Sequence, residues 1–336
     1  MEKKSMKKPH FGLSVLLAGA AVLLLSACIS CSEPASQDMA IYLVESGEIA
    51  ENPGETDLDS LILEEDPWIT MDDIEFYDYS THFIFLNSDS DFQAAGIPEF
   101  KSFAPKPFVV TAGGKRIYLG FFHSASSSLL PTEAPFISVP SFTANDIIRI
   151  QPPFRIEGQT QRDVRFDSSI KEVLHNAGKL EKGIKVELLN VLFSTSDNGS
   201  DATAKYTLRI TNQSSRTWYV PDTDLMGVQT FIYYTGGILF TSETGSYRQE
   251  LPEMKWEQWQ KGWYTQLEPE QSLIRIVTQT GFPIVTDGHY SCSLRFTCDT
   301  GVEKSERMMD NGEIWIGFLT SDPVSIAVQT SRGILK

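Results

Sequence analysis

The chain has 336 residues, 41% of them hydrophobic and 11% aromatic, which is material for about two domains of ordinary size and rules out disorder throughout. Its 44 acidic and 28 basic side chains give a formal net charge of -16. No basic stripe interleaved with aromatic residues is present, so nucleic acid is not among the expected partners.

The first element in chain order is a leader. Lys3, Lys4, Lys7 and Lys8 precede an uncharged run from Phe11 to Leu25, the basic head and apolar middle of a secretory signal. A run of about fifteen residues falls short of the roughly 20 that a helix needs to cross a bilayer. It closes on Leu25-Ser26-Ala27-Cys28, which resembles the lipobox of bacterial lipoproteins. The resemblance implies cleavage before Cys28, acylation of the Cys28 thiol and a mature protein held to the membrane by lipid. Cys31 forms a Cys-x-x-Cys with Cys28, but a lipid-bearing first sulfur leaves neither a redox pair nor a metal site. Ile29 stands where an aspartate would mark inner-membrane retention in enteric bacteria, so the resemblance implies the outer membrane in a Gram-negative cell.

Between Cys28 and Ser80 there are fifteen Asp or Glu residues and no Lys or Arg. Such a segment, broken by Pro and Gly, is expected to resist collapse, so residues 28–66 read as an acidic tether. The ordered remainder divides near Gly178 to Gly183, giving a β-rich domain over 67–182 and a second domain over 183–336.

In the first domain, Ile74 to Tyr77 and His82 to Leu86 read as strands around Asp78-Tyr79-Ser80. Phe108 to Ala112 and Lys115 to Phe121 flank Gly113-Gly114, a two-residue turn suited to a tight hairpin. Ser124 to Ser128 and Pro131 to Pro140 read as loop, and Asp146 to Ile150 as strand. Ser169 to Glu172 has capping-box spacing, and Ile170, Val173, Leu174 and Ala177 form one apolar face before Gly178, which predicts one short helix.

From Lys185 the apolar period is two. Tyr206, Leu208 and Ile210, then Ile274 and Ile276, Tyr290 to Cys298, Ile314 to Phe318 and Val324 to Val328 supply short strands for an antiparallel sandwich. Leu208 to Ser214, Leu267 to Ser272 and Asp322 to Ile326 resemble immunoglobulin-like domains of bacterial surface proteins, a likeness that spans about Gly183 to Gln329 and implies a fold without an activity. The fold class expected is mainly β: an N-terminal β-rich domain with one short helix, then an immunoglobulin-like sandwich. Cys292 and Cys298, six residues apart on one strand, face the same side about 20 Å from each other and cannot pair, so two buried free thiols are expected.

Chemistry-bearing motifs are sparse. His82, His123, His175 and His289 lie in no compact ligand spacing, and no Gly-x-Ser-x-Gly elbow presents a serine, so no catalytic residue, metal or cofactor is expected. Asp197-Asn198-Gly199-Ser200-Asp201 carries oxygen ligands around a glycine but lacks the EF-hand pattern and reads as a hairpin turn. Trp256, Trp259, Trp263 and Tyr264 form the one aromatic concentration that suggests ligand binding. If Met254 to Lys261 is helical the three tryptophans share a face, which either stacks on sugar rings or a protein partner, or packs on the sandwich. The functional expectation is a lipid-anchored, non-catalytic binding or assembly module of the cell envelope, attached to the membrane through lipid and facing an envelope protein or glycan. The alternatives are a glycan-binding lipoprotein that uses the tryptophans, and an envelope hydrolase with a site assembled around His123 or His289.

Overall fold

The structure is a computed structural model that describes residues 38–87, 106–128, 131–139, 144–154, 163–195, 202–242, 245–249, 260–282, 287–298 and 304–328. The leader, Cys28, Cys31, Trp256, Trp259 and the whole Asp197 to Asp201 turn lie outside the described residues. The protein is mainly β, with several antiparallel sheets and few helices. Among the described residues no helix is long and apolar enough to cross a membrane.

The N-terminal half holds two sheets. The outer one orders strands β1 (Ala40–Ser46), β2 (Ile62–Leu63), β5 (Lys106–Ala112), β6 (Lys115–Ser124) and β7 (Phe136–Val139) as β2-β1-β5-β6-β7. The middle one orders β3 (Ile74–Asp78), β4 (Phe83–Leu86), β8 (Ile147–Arg149) and β9 (Leu180–Glu181) as β8-β4-β3-β9. The hairpin between β5 and β6 turns through Gly113 and Gly114 at φ +61° and +74°, left-handed backbone that glycine adopts freely. Helix α1 (Ser168–Asn176) packs Ile170 and Leu174 into the core. Its cap is Asp167, which accepts from the Ser169 N–H, so the helix begins one residue before the predicted box.

The acidic tether is overturned from Met39 onward. Met39, Ala40, Ile41, Leu43 and Val44 are buried, and β1 pairs with both β2 and β5 in the outer sheet. Met39 to Val44 is an uncharged apolar run, and averaging charge over 28–66 hid it. The acidic stretch that follows is fastened down as well. Arg116 donates to the carbonyls of Leu58 and Leu61, and Leu58, Leu61 and Leu63 cover Val109 and Leu119 on the outer face of the sheet. A second difference falls in the proline-bearing stretch read as loop, where β7 runs parallel to β6.

The C-terminal half is a sandwich. One sheet orders β10 (Ile184–Thr195), β11 (Ala202–Asn212) and β16 (Ser272–Phe282) as β10-β11-β16. The other orders β13 (Gly236–Ser242), β14 (Gly245–Arg248), β17 (Gly288–Cys298) and β20 (Gly317–Thr320) as β14-β13-β17-β20, with β21 (Val324–Val328) also on β17. Inward residues of the two sheets share one core, with the Phe240 ring edge-on to Phe193 and Phe282 at 5.1 Å from each. A small sheet of β12 (Trp218–Pro221), β15 (Tyr264–Leu267), β18 (Met308–Met309) and β19 (Gly312–Ile314) closes one end in the order β15-β12-β19-β18. Helices α2 (Thr223–Met226) and α3 (Val228–Thr235) interrupt the expected run of strands, and α4 (Lys304–Arg307) precedes β18. Phe231 and Ile232 of α3 are buried in the sandwich core, where this helix of about two turns contributes apolar side chains alongside the strands. Cys292 and Cys298 are free, buried and on one continuous strand, as their spacing predicts.

The boundary at 182/183 marks a change of sheet but not a separation of cores. Strand β4 reads Phe83-Ile84-Phe85-Leu86, every residue apolar, and all four are buried. That is the pattern of a strand covered on both faces. Ile84 and Leu86 join the N-terminal core, while Phe83 and Phe85, with Phe76 of β3 and Ile147 of β8, join the core of the sandwich. The middle sheet is therefore a wall common to both halves. Polar contacts reinforce it: Arg216 and Lys304 both bind Glu75, and Arg307 binds Asp146 at 2.6 Å. At the crossing itself Gly183 sits at φ +72°, and a Cβ there would collide with Asp78 Oδ1 and Ser80 Oγ.

Candidate binding cleft

Strand β6 builds the site. Its register with β5 slips between Val110 and Thr111, which inserts Ile117 as a bulge and leaves Ile117 and Tyr118 both packed toward the N-terminal core, while Leu119 packs outward. Strand β7 covers only Phe121 to Ser124 of β6. Beyond that point the β6 edge opens onto a cleft walled by Pro53 and Gly54, by Thr132 to Pro135, by Pro152 to Phe154, and by Asp163 and Val164. Its interior volume is about 140 Å³.

The backbone at the floor follows from proline chemistry. Pro107 is paired with Phe121 and has no N–H to donate, so that pair is a non-hydrogen-bonded one and the Phe121 N–H turns away from β5. It donates instead to the Pro135 carbonyl at 3.0 Å. Leu119, two residues back and paired with Val109, shares that orientation. Its N–H and C=O therefore point away from β5 toward the cleft, where no described strand pairs with them.

Polar groups cluster behind the floor. Tyr118 is 4% exposed, and its hydroxyl has no hydrogen-bond partner among the described residues. Tyr77 and His82 Nδ1 share a hydrogen bond at 2.8 Å. Arg165 clamps Asp163 with Nε to Oδ1 at 2.9 Å and Nη2 to Oδ2 at 2.6 Å, and donates from Nη1 to the Ile150 carbonyl. Burial alone would raise the Asp163 carboxyl, but the Arg165 hydrogen bonds and charge bring it below the ordinary carboxylate range. Burial, helped by the Arg165 charge, depresses His82 to about 3, so the imidazole is neutral at physiological pH. Burial raises the Tyr77 and Tyr118 hydroxyls. Asp163 is thus held by Arg165, and Tyr77 by His82.

The residues singled out in the sequence fall elsewhere. Trp263 and Tyr264 are buried in the sandwich core, with the Trp263 ring 5.3 Å from that of Tyr234, so neither is available to stack on a sugar or a partner. His123 is half-buried edge-on to Phe136, and His289 is exposed on β17; neither lines the cleft. Ser124 and Ser126 hydrogen-bond each other at the surface. Strands β10 and β11 pair up to Thr195 with Ala202, so they flank the Asp197 to Asp201 segment as a hairpin would require. The cleft itself was missed. Of its wall, Pro135 falls in the Pro131 to Pro140 stretch expected as loop, and Pro152 and Pro153 belong to no expected element. No known family model matches the chain, and no curated protein matches it either.

Proposed function

We propose that this protein is a lipid-anchored, exported lipoprotein that acts as a non-catalytic binding module at the cell envelope, with the β6 cleft as its binding site. The observation that carries the binding role is a cavity walled by proline and aliphatic side chains that opens on a stretch of strand edge with no paired strand among the described residues. The address rests on Lys3 to Lys8, the apolar run and Leu25-Ser26-Ala27-Cys28. Attachment is through acyl chains on Cys28, at the outer membrane if the cell is Gram-negative. The immunoglobulin-like likeness of the C-terminal sandwich fits a module that carries a binding surface away from the membrane. Two measurements test the proposal. Wild-type chain expressed in a bacterium should take up acyl label and sediment with membranes, whereas Cys28→Ala should do neither. The purified mature protein should also show a saturable ligand whose binding is lost when Ala134 in the cleft wall is enlarged to Leu. Normal labelling of Cys28→Ala would sink the anchor.

A further inference from the structure

The cleft's chemistry narrows its ligand, an inference that rests on the binding role proposed above. Three features converge on one spot. The first is the main-chain pair of Leu119, which no described strand takes up: one N–H and one C=O on the same edge, the two groups with which a strand accepts another strand. The second is size. At about 140 Å³ the cavity is close to the roughly 150 Å³ of an apolar protein cavity that takes up benzene, so it fits one aromatic ring and is too small for an extended sugar or a lipid chain. Phe154, stacked on Phe136 and 45% exposed, offers that ring an aromatic neighbour at the mouth. The third is charge. The charged residues in the lining are Glu133 and Asp163, and Asp163 is neutralised by Arg165. Glu133 is exposed and accepts only from the Thr132 hydroxyl, with no ion pair among the described residues.

We infer that the cleft binds an extended peptide by strand addition to β6, with Leu119 exchanging two main-chain hydrogen bonds, one aromatic side chain of the peptide filling the cavity and a basic residue of the peptide meeting Glu133. Backbone pairing supplies affinity without regard to sequence, and the cavity and Glu133 supply selectivity. The ligand is thus a protein segment, which distinguishes this site from a glycan site.

The test uses the mature full chain and labelled acetylated pentapeptides read by fluorescence polarisation. The parent peptide, Ala-Lys-Ala-Phe-Ala, is compared with versions carrying alanine for phenylalanine, glutamate for lysine, or N-methyl groups on the backbone. The parent should bind. Loss of the ring or N-methylation should weaken binding at least about tenfold, equivalent to 1.4 kcal/mol. Glu133→Lys, a surface change that leaves the fold intact, should weaken the parent and strengthen the glutamate peptide. N-methylated and parent peptides binding alike would overturn strand addition. N-acetylphenylalanine amide binding as tightly as the pentapeptide would overturn the peptide while leaving a binding cleft in place. Binding of neither compound would remove both readings.

Discussion

Trp315 Nε1 donates to Asp78 Oδ2 at 2.9 Å, and both residues are completely buried. The bond spans 237 positions of sequence and ties the wall common to the two halves to the end of the sandwich. Asp78 Oδ1 is occupied from the other side by the Ser80 N–H and hydroxyl at 2.8 and 2.6 Å. A carboxylate so far from water survives because each oxygen has donors.

Trp315→Phe should therefore cost more than its lost volume. Trp218 provides the control, because it is equally buried but its indole N–H has no hydrogen-bond partner among the described residues. Both substitutions remove the same atoms, so the difference between them isolates the hydrogen bond. Trp315→Phe is expected to be the more destabilising by about 1–3 kcal/mol in urea titrations. Equal losses would show that the Asp78 contact contributes nothing net.

The same carboxyl has a pH signature. Burial raises Asp78, and the bonds from Ser80, Trp315 and the Thr81 backbone only partly offset that rise. A folded-state value above the unfolded one means the folded protein holds this proton more tightly. The group's contribution is fully present below the unfolded carboxylate value and is lost as pH rises through the folded one. Asp78→Asn should remove that component, so the wild-type-minus-variant stability difference should fall with rising pH above about 4. A difference that grows with pH would reverse the assignment.

The two halves should not fold independently. Phe76, Phe83 and Phe85 belong to the sandwich core although they precede Gly183 by a hundred residues or so. A fragment of residues 183–336 loses those rings and also Asp78, Glu75 and Asp146, which bind Trp315, Arg216 and Arg307. It is expected to show no cooperative thermal transition by circular dichroism, while the mature full chain melts as one unit. In the full chain Phe85→Ala should cost about 3–5 kcal/mol, the range for emptying a buried aromatic site. A fragment that melts cooperatively would show that the common wall is dispensable.

How much was legible follows from which signals are local. The Gly113-Gly114 hairpin, the α1 face and the β17 alternation were readable because turn chemistry and period reside in a few adjacent residues. Strand β1 was hidden by the acids that follow it, although Met39 to Val44 carries none. Trp263 packs on the sandwich, one of the two readings open in the sequence because a tryptophan on a short turn looks alike whether it faces a core or a ligand. The cleft was not legible at all. It needs the β6 edge, the Pro53 turn and the Pro152 to Phe154 segment to meet, and no local pattern encodes where β7 stops pairing.

His82 should make the protein sensitive to acid. It sits at φ +59° with its ring buried beside Phe166, and its Nε2 has no partner among the described residues. Because burial lowers it to about 3, the neutral form belongs to the folded state. The stability it contributes is present above the unfolded value near 6.5 and is lost as pH falls toward 3, with a limiting slope of about 1.4 kcal/mol per pH unit. His82→Asn, a residue that tolerates positive φ, should be less stable at neutral pH and decline less steeply on acidification. Parallel pH curves for the two proteins would assign the acid loss to other groups.

The thiols offer the most direct check on the sandwich. Cys292 is completely buried opposite Phe240 and Val324 on neighbouring strands, and burial pushes its thiol up to about 12. It should therefore be inert to thiol reagents in the folded protein. Because Cys292 and Cys298 are both free, reduction should leave the melting temperature unchanged. Cys292→Ser, which places a hydroxyl in that apolar site, should cost about 1–3 kcal/mol if the hydroxyl goes unpaired. Cys292→Ala adds no polar group and should cost less. Thiol counting on denatured, unreduced Cys28→Ala/Cys31→Ala protein decides the matter: two reactive groups support the continuous β17 strand, whereas none, with a drop in stability on reduction, would require a disulfide and a different path for this segment.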